Sequence, residues 1–405
     1  MFETLLPWFV GLSADQIFYV VIGDLFLAIV KGYTAEQIVA LTTYSLIISM
    51  IIQVPLLSLM KKIGNNAAIR IGAIMMFTSC ILLVTCDYVG ILIAKVLYET
   101  SYIFHSMSNV MLKNNLHMQN RDNLYLKIRN KGNSIYAVLT LLATLVGTVL
   151  FNIDPYIPMI GSCICSFIAL VMSFQLFDYS LMDKAHQPRA SKKIKLSKTA
   201  MVVLASYMLF FVFVYLGTNE GKLVIQYTLL DAFSDSKTTN IVGIVFLCSR
   251  VARLISSMIF DSIHKLIKEK VGVMLAIICT LTLISLSAGA LLPINFWLRI
   301  VLMSIGYVGV LFIRDPGLVY IQNVGLNAVE DKHKQSFITM MEFGKKLLVT
   351  ILCFGVTLVL NIYPLEVVIG FITILSVAEI TVSVALFKMI SKPNNELIKS
   401  PTKLS

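Results

Sequence analysis

Residues 36–62 read EQIVALTTYSLIISMIIQVPLLSLMKK, and residues 239–265 read TNIVGIVFLCSRVARLISSMIFDSIHK. Set side by side, Ile38 and Val39 match Ile241 and Val242 about 203 residues on, and each apolar run ends in a lysine, Lys62 or Lys265. A helix of about 20 apolar residues crosses a hydrocarbon core of about 30 Å, so the two segments read as one membrane span occurring twice. Such duplication within a membrane chain marks a fold built from two parallel repeats.

The rest of the chain agrees. Of its 405 residues, 58% are hydrophobic and 14% charged, and the mean hydropathy is +0.85. A soluble domain carries about one-quarter charged residues, so a water-soluble fold could not hide this much apolar surface. Backbone in lipid must satisfy its own hydrogen bonds, which leaves helices or a closed barrel. The runs lack the polar and apolar alternation of barrel strands. Spans are predicted over about 5–30, 37–59, 66–86, 89–111, 132–152, 156–177, 203–231, 239–260, 271–292, 295–322, 336–360 and 365–387. The expected fold class is an all-α polytopic membrane protein with twelve transmembrane helices. The N-terminal MFETLLPWFVGLSADQ has no basic n-region and no small-residue cleavage site before Asp15 and Gln16, so it is expected to remain as the first span.

The net charge of +11 resides in short segments between the apolar runs, without an aromatic-interleaved basic domain. It predicts contact with an anionic lipid surface and no nucleic-acid partner. Roughly 23 of the 33 basic residues fall on one side of the predicted spans, which places both termini in the cytoplasm of a multi-pass plasma-membrane protein. DYSLMDKAHQPRASKKIKLSK, residues 178–198, is the long polar stretch near the middle. The expected organisation is an N-terminal six-helix half (1–178), a cytoplasmic basic linker (179–202), a C-terminal six-helix half (203–388) and a cytoplasmic tail (389–405). The seven cysteines lie in apolar segments with no CxxC pair and read as small buried hydrophobes.

Twelve spans, a basic central loop and cytoplasmic termini resemble the major facilitator superfamily over essentially the whole chain. The resemblance implies two six-helix bundles around a central cavity, with spans one, four, seven and ten lining it. The family carries a G-x-x-x-D-[RK]-x-G-[RK]-[RK] signature after span two, repeated more weakly after span eight. Here LLSLMKKIGNNAAIR keeps only Lys62 and Gly64, whereas SMIFDSIHK keeps Asp261 with Lys265 four residues on. By analogy these residues form a conformational latch, the alternative being a solvated loop. The family's R-x-x-x-G-x-G pattern of span four meets IAKVLYETS, which puts Lys95 at its arginine and Glu99 at its first glycine; Arg299 takes the equivalent place in span ten. The G-P-x-x-G-G run of drug/proton antiporters is missing from AVLTLLATLVGTVLF, which lowers the drug-exporter reading.

Charged groups inside a span cost about 2.5–3.5 kcal/mol each and normally face a cavity or a partner. In span one these polar positions are Asp15, Gln16 and Tyr19, with Asp24 further out. The repeat offset puts the TNEGK of span seven at similar depth. There Tyr215, Asn219, Lys222 and Gln226 make one stripe with Glu220 about 100° around the helix, and Gly217 and Gly221 could let the helix break. Span four shows Tyr98, Tyr102, His105 and Asn109, with Lys95 and Glu99 as an i,i+4 pair that either serves the site or neutralises itself between packed helices. Arg250 and Arg253, one turn apart in span eight, either clamp a carboxylate or phosphate or pair with Asp15, Glu99 or Glu220. Arg314, Asp315, Pro316 and Gly317 read as a charge pair at a kink, and Glu342, Lys345 and Lys346 stay outside the site.

No Walker, H-E-x-x-H or G-x-S-x-G sequence is present, so the chain is expected to be neither an enzyme nor a holder of metal or cofactor. The function these residues point to is secondary active transport of a small-molecule substrate by alternating access, coupled to protons, in a monomer within the bilayer. Competing readings are a lipid, amphiphile or drug exporter (flippase) on the same fold and a non-transporting membrane sensor.

Overall fold

Apolar runs between turn-forming loops become helices in the computed structural model, which describes residues 2–105, 107–121, 124–178, 197–267, 270–329 and 334–390. Their order is α1 (Phe2–Ser13), α2 (Tyr19–Leu25, continued by a π-helical turn Phe26–Val30), α3 (Ala35–Thr85), α4 (Tyr88–His105), α5 (Met107–Met118), α6 (Tyr125–Ile153) and α7 (Tyr156–Gln175). There follow α8 (Lys198–Leu230), α9 (Asp235–Ile267), α10 (Val271–Leu291), α11 (Phe296–Asn327), α12 (Lys334–Leu360) and α13 (Leu365–Ile390). No strand occurs among the described residues. The predicted linker and tail lie almost wholly outside those residues, as do the side chains of Lys62 and Asp261.

Ten stretches of helix are long and apolar enough to cross a membrane among the described residues, two of them, Ala35–Gln53 and Ile63–Thr85, within α3. The predicted spans at 5–30 and 89–111 take a different form. The first is divided between α1 and α2, and in the second Lys95, Glu99 and His105 dilute the apolar run of α4. The 51-residue α3 turns from one span into the next at Gly64, whose φ of 79° and ψ of 167° would strain any side-chain-bearing residue. A capping box of Thr34 and Gln37 starts α3.

Two basic residues away from the basic loops close helix ends. Lys31 Nζ donates to the carbonyls of Val84 (3.2 Å) and Cys86 (3.0 Å) at the end of α3. Arg299 Nε and Nη2 donate to those of Gly289 (3.1 Å) and Ala290 (3.0 Å) at the end of α10. Both cations satisfy orphan carbonyls at the negative pole of a helix.

The chain forms two compact units. The first contains residues 1–190, 222–251 and 350–365; the second contains 191–221, 252–349 and 366–405. In the first, Leu6, Phe9 and Leu12 of α1 pack with Ile69, Ala73, Met111, Leu112, Leu116 and Ala169 into one apolar core. The same unit ties the early chain to its two later segments by polar contacts. Asn152 Nδ2 donates to Asn240 Oδ1 (2.7 Å), Thr357 Oγ1 to Thr43 Oγ1 (2.8 Å), Thr43 Oγ1 to the Cys353 carbonyl (3.2 Å), and the Tyr227 hydroxyl to the Tyr33 carbonyl. All four lie in the halves of their helices nearer the connections 31–34, 154–155, 231–234 and 361–364.

Candidate functional site

The site begins where α1 stops. Ser13 Oγ donates back to the Phe9 carbonyl (2.6 Å), and the Asp15 carboxylate accepts the backbone N–H of Gln16 (2.8 Å). Short polar side chains of this kind compete with the helical ladder for backbone groups. The amides freed by the break are taken by Ser162 of α7, whose hydroxyl accepts both Phe18 N–H (3.0 Å) and Tyr19 N–H (3.1 Å). Phe18 wedges beside this junction because Gly161 leaves room; a Cβ there would lie 3.0 Å from the ring. The break expected at Gly217 and Gly221 is therefore in the first span instead. The helix α8 runs unbroken through both glycines, whose missing Cβ atoms admit Leu283 (2.8 Å) and Leu286 (2.8 Å). A mid-helix glycine costs only about 1 kcal/mol relative to alanine, so close packing is sufficient reason for it.

Around the break the first unit gathers polar side chains. Asp15 Oδ1 accepts the Tyr98 hydroxyl (2.5 Å) and Oδ2 that of Tyr136 (3.2 Å), while the Tyr102 hydroxyl donates to Tyr98 (2.6 Å). The Tyr98 and Tyr102 rings meet edge to face at 4.9 Å. Buried Gln16 donates through Nε2 to Ser79 Oγ (2.9 Å), and Ser79 donates to the Ala94 carbonyl (2.7 Å). Lys95, buried on α4, donates to Thr42 Oγ1 (2.8 Å), and Glu99 is half-buried on the same helix.

One turn beyond Tyr19, Asp24 forms an ion pair with Lys222 at 2.8 Å, their side chains only 18% and 10% exposed. The Lys222 ammonium also stands 5.5 Å from the centre of the Phe246 ring. Lys95 lies within electrostatic reach of Asp24, and Tyr19 within reach of both Asp15 and Asp24, so the two acids belong to one polar cluster. Several buried polar atoms in it have no hydrogen-bond partner: Gln16 Oε1, the Tyr19 hydroxyl and both amide atoms of Gln226. Such atoms cost about 1–3 kcal/mol each when left unsatisfied.

Other predicted residues fall elsewhere. Arg250 belongs to the first unit and has a buried Nε without a partner. Asn219, Glu220 and Arg253 belong to the second. Glu220 is buried. Arg253 grips Asp315 with both Nε and Nη2, the latter at 2.9 Å. Asp315 thus joins α9 to α11, and α11 continues as helix through Pro316. Lys265 is exposed on α9. His105 is half-buried, its ring 5.6 Å from that of Phe9 and its buried Nε2 without a hydrogen-bond partner. Glu342 accepts the Tyr207 hydroxyl (2.9 Å) and pairs with Lys345, which covers the Phe211 ring at 4.6 Å.

Sequence reasoning missed Tyr136 and did not put Asp24 in the site. Asp24 carried a usable signal, an acid within an apolar run, whereas only the folded chain brings Tyr136 to Asp15. Among the described residues no group of three or more metal-ligating side chains occurs.

Known structures share this fold. The nucleoside transporter NupG superposes with a TM-score of 0.67 at 14% identity, covering 96% of this chain and 100% of that one. A bacterial homologue of the iron transporter ferroportin, in an inward-facing state, gives 0.64 at 14% identity, with 96% and 98% covered. The peptide transporter POT in complex with alafosfalin gives 0.65 at 10% identity, with 96% and 93% covered. The chain has the fold of these three structures over nearly its whole length, the fold that the sequence resemblance implies. No protein-family model matches the chain, and neither does any curated protein.

Proposed function

We propose that this chain is a secondary active transporter, carrying a small polar solute across the plasma membrane by alternating access between two six-helix halves, with protons as the coupling ion. The observation that carries the reading is the polar cluster on the broken first span. It combines two carboxylates (Asp15, Asp24), two ammonium groups (Lys95, Lys222) and four tyrosines (Tyr19, Tyr98, Tyr102, Tyr136). Each intramembrane charge costs about 2.5–3.5 kcal/mol, so four in one cluster are retained for use. Their charges balance, which suits a solute that is neutral or zwitterionic and rich in hydrogen-bonding groups. Nucleosides and small peptides, the solutes named for two structural neighbours, are the first classes to test.

In this reading Gln16, Tyr19 and Gln226 contact the solute, Tyr98 and Tyr102 flank it, and Arg250 contributes from α9. Protonation of Asp15 or Glu220 is linked to the change of access. A proton on Asp24 would free Lys222 and loosen the end of the fold that carries the 31–34 and 231–234 connections. Glu99, Lys95 and Arg253, with the Lys62, Gly64, Asp261 and Lys265 latch, bias the equilibrium between states without touching solute.

Uptake into proteoliposomes under an imposed pH gradient tests the proposal. One solute class should accumulate against its gradient, and Asp15→Asn or Glu220→Gln should abolish that accumulation while leaving counterflow partly intact, because exchange needs no net proton movement. Full gradient-driven uptake by both variants would move coupling to other residues.

A further inference from the structure

The second unit holds a carboxyl that the transport cluster does not use. Glu379 sits near the middle of the 26-residue α13 and is 1% exposed. Neither of its oxygens accepts a hydrogen bond from an N–H or O–H group. Facing it from α10 is the thiol of Cys279, itself fully buried, a weak donor that does not reach hydrogen-bond geometry. Among the described residues Cys279 is the titratable side chain that acts on it. An ionised carboxylate would need two or more donors, or a cation, to replace its water. Among the described residues Glu379 has neither, whereas Asp15 has two hydroxyl donors and Asp24 has a lysine.

The surroundings are graded. From Glu379 toward the start of α13, Ser376 and Thr373 follow at successive turns, meeting Thr280 and Ser287 of α10. Ser376 Oγ lies 3.3 Å from Thr280 Oγ1, and Thr373 Oγ1 lies 2.5 Å from Ser287 Oγ. All four hydroxyls are buried. The two pairs are separate, and Ser376 and Thr373 also donate to the carbonyls of Thr373, Leu283 and Ile369, so they line the seam between α10 and α13 with polar groups without placing a donor on Glu379.

We propose that Glu379 is a proton-binding site separate from the transport cluster, set in the polar seam between α10 and α13. The proton is held as the neutral acid while α10 and α13 are closely packed. When it leaves for water at the end of the seam, the carboxylate draws solvent between the two helices and loosens them. The site goes beyond the transport reading and stands or falls separately, because its test measures no solute.

Full-length protein in lipid nanodiscs is treated with dicyclohexylcarbodiimide, which adds to protonated carboxyls in apolar surroundings, and the adducts are mapped by mass spectrometry. The expected result is modification of Glu379 at pH 6 that drops several-fold at pH 9. In parallel, the melting temperature of the native chain should fall between those values relative to Glu379→Gln, which is neutral throughout. The labelling needs no variant, so a Glu379→Gln chain that fails to fold leaves the test intact. A Glu379 peptide unmodified at pH 6, or modified equally at both values, overturns the proposal.

Discussion

Asp24 and Lys222 show how one pair organises the cluster. Their side chains are mostly withdrawn from solvent at 2.8 Å separation, so each is compensated chiefly by the other. Removing one member of a buried ion pair leaves a lone charge and costs on the order of 3–5 kcal/mol, whereas replacing both by neutral groups of similar size is often close to neutral. Asp24→Asn alone should therefore lower the melting temperature of the purified protein strongly. The double variant Asp24→Asn with Lys222→Met should recover most of that loss. A double variant as unstable as the single one would mean that each residue has other, independent partners. Asp15 differs in kind, since its compensation comes from tyrosine hydroxyls and a backbone amide.

At the scale of elements, the break between α1 and α2 places Asp15, Gln16 and Tyr19, and Ser162 supports it from α7. Ser162→Ala removes the acceptor of two buried amides, at about 1–3 kcal/mol for each group left unsatisfied. Thermal melting should show that loss, and Ser162→Thr, which keeps the hydroxyl, should restore most of it. An alanine variant with unchanged stability would mean that the amides find another acceptor. Much of this was legible beforehand: the apolar runs did become helices, and the stripe of Tyr98 and Tyr102 on span four does meet Asp15 of span one. The break itself was misplaced. Glycines in α8 drew attention as breakers, although the chain yields where Ser13 and Asp15 offer their own hydrogen bonds to the backbone. Glu379 was overlooked even though the rule that flags a charge within an apolar run applies to it equally. The pairing of Asp24 with Lys222 and of Arg253 with Asp315 depends on which helix faces are neighbours, and no spacing along one helix encodes that.

At the scale of the molecule, alternating access requires that the contacts between early and late chain in the first unit be reversible. Among the described residues they include polar ones: Asn152 to Asn240, Thr43 to Thr357 and Cys353, Tyr33 to Tyr227, and Asp24 to Lys222. A small set of hydrogen bonds, each worth about 0.5–1.5 kcal/mol net, can hold one state without making it permanent. The most direct test locks one of them. Asn152 and Asn240 are both exposed, so cysteines at the two positions can be joined by a short, reducible bifunctional methanethiosulfonate reagent. Transport of the solute found in the uptake screen, measured in proteoliposomes, should stop on cross-linking and return on reduction, with each single-cysteine variant unaffected. Transport that continues at its full rate with Asn152→Cys and Asn240→Cys joined would contradict alternating access in this chain.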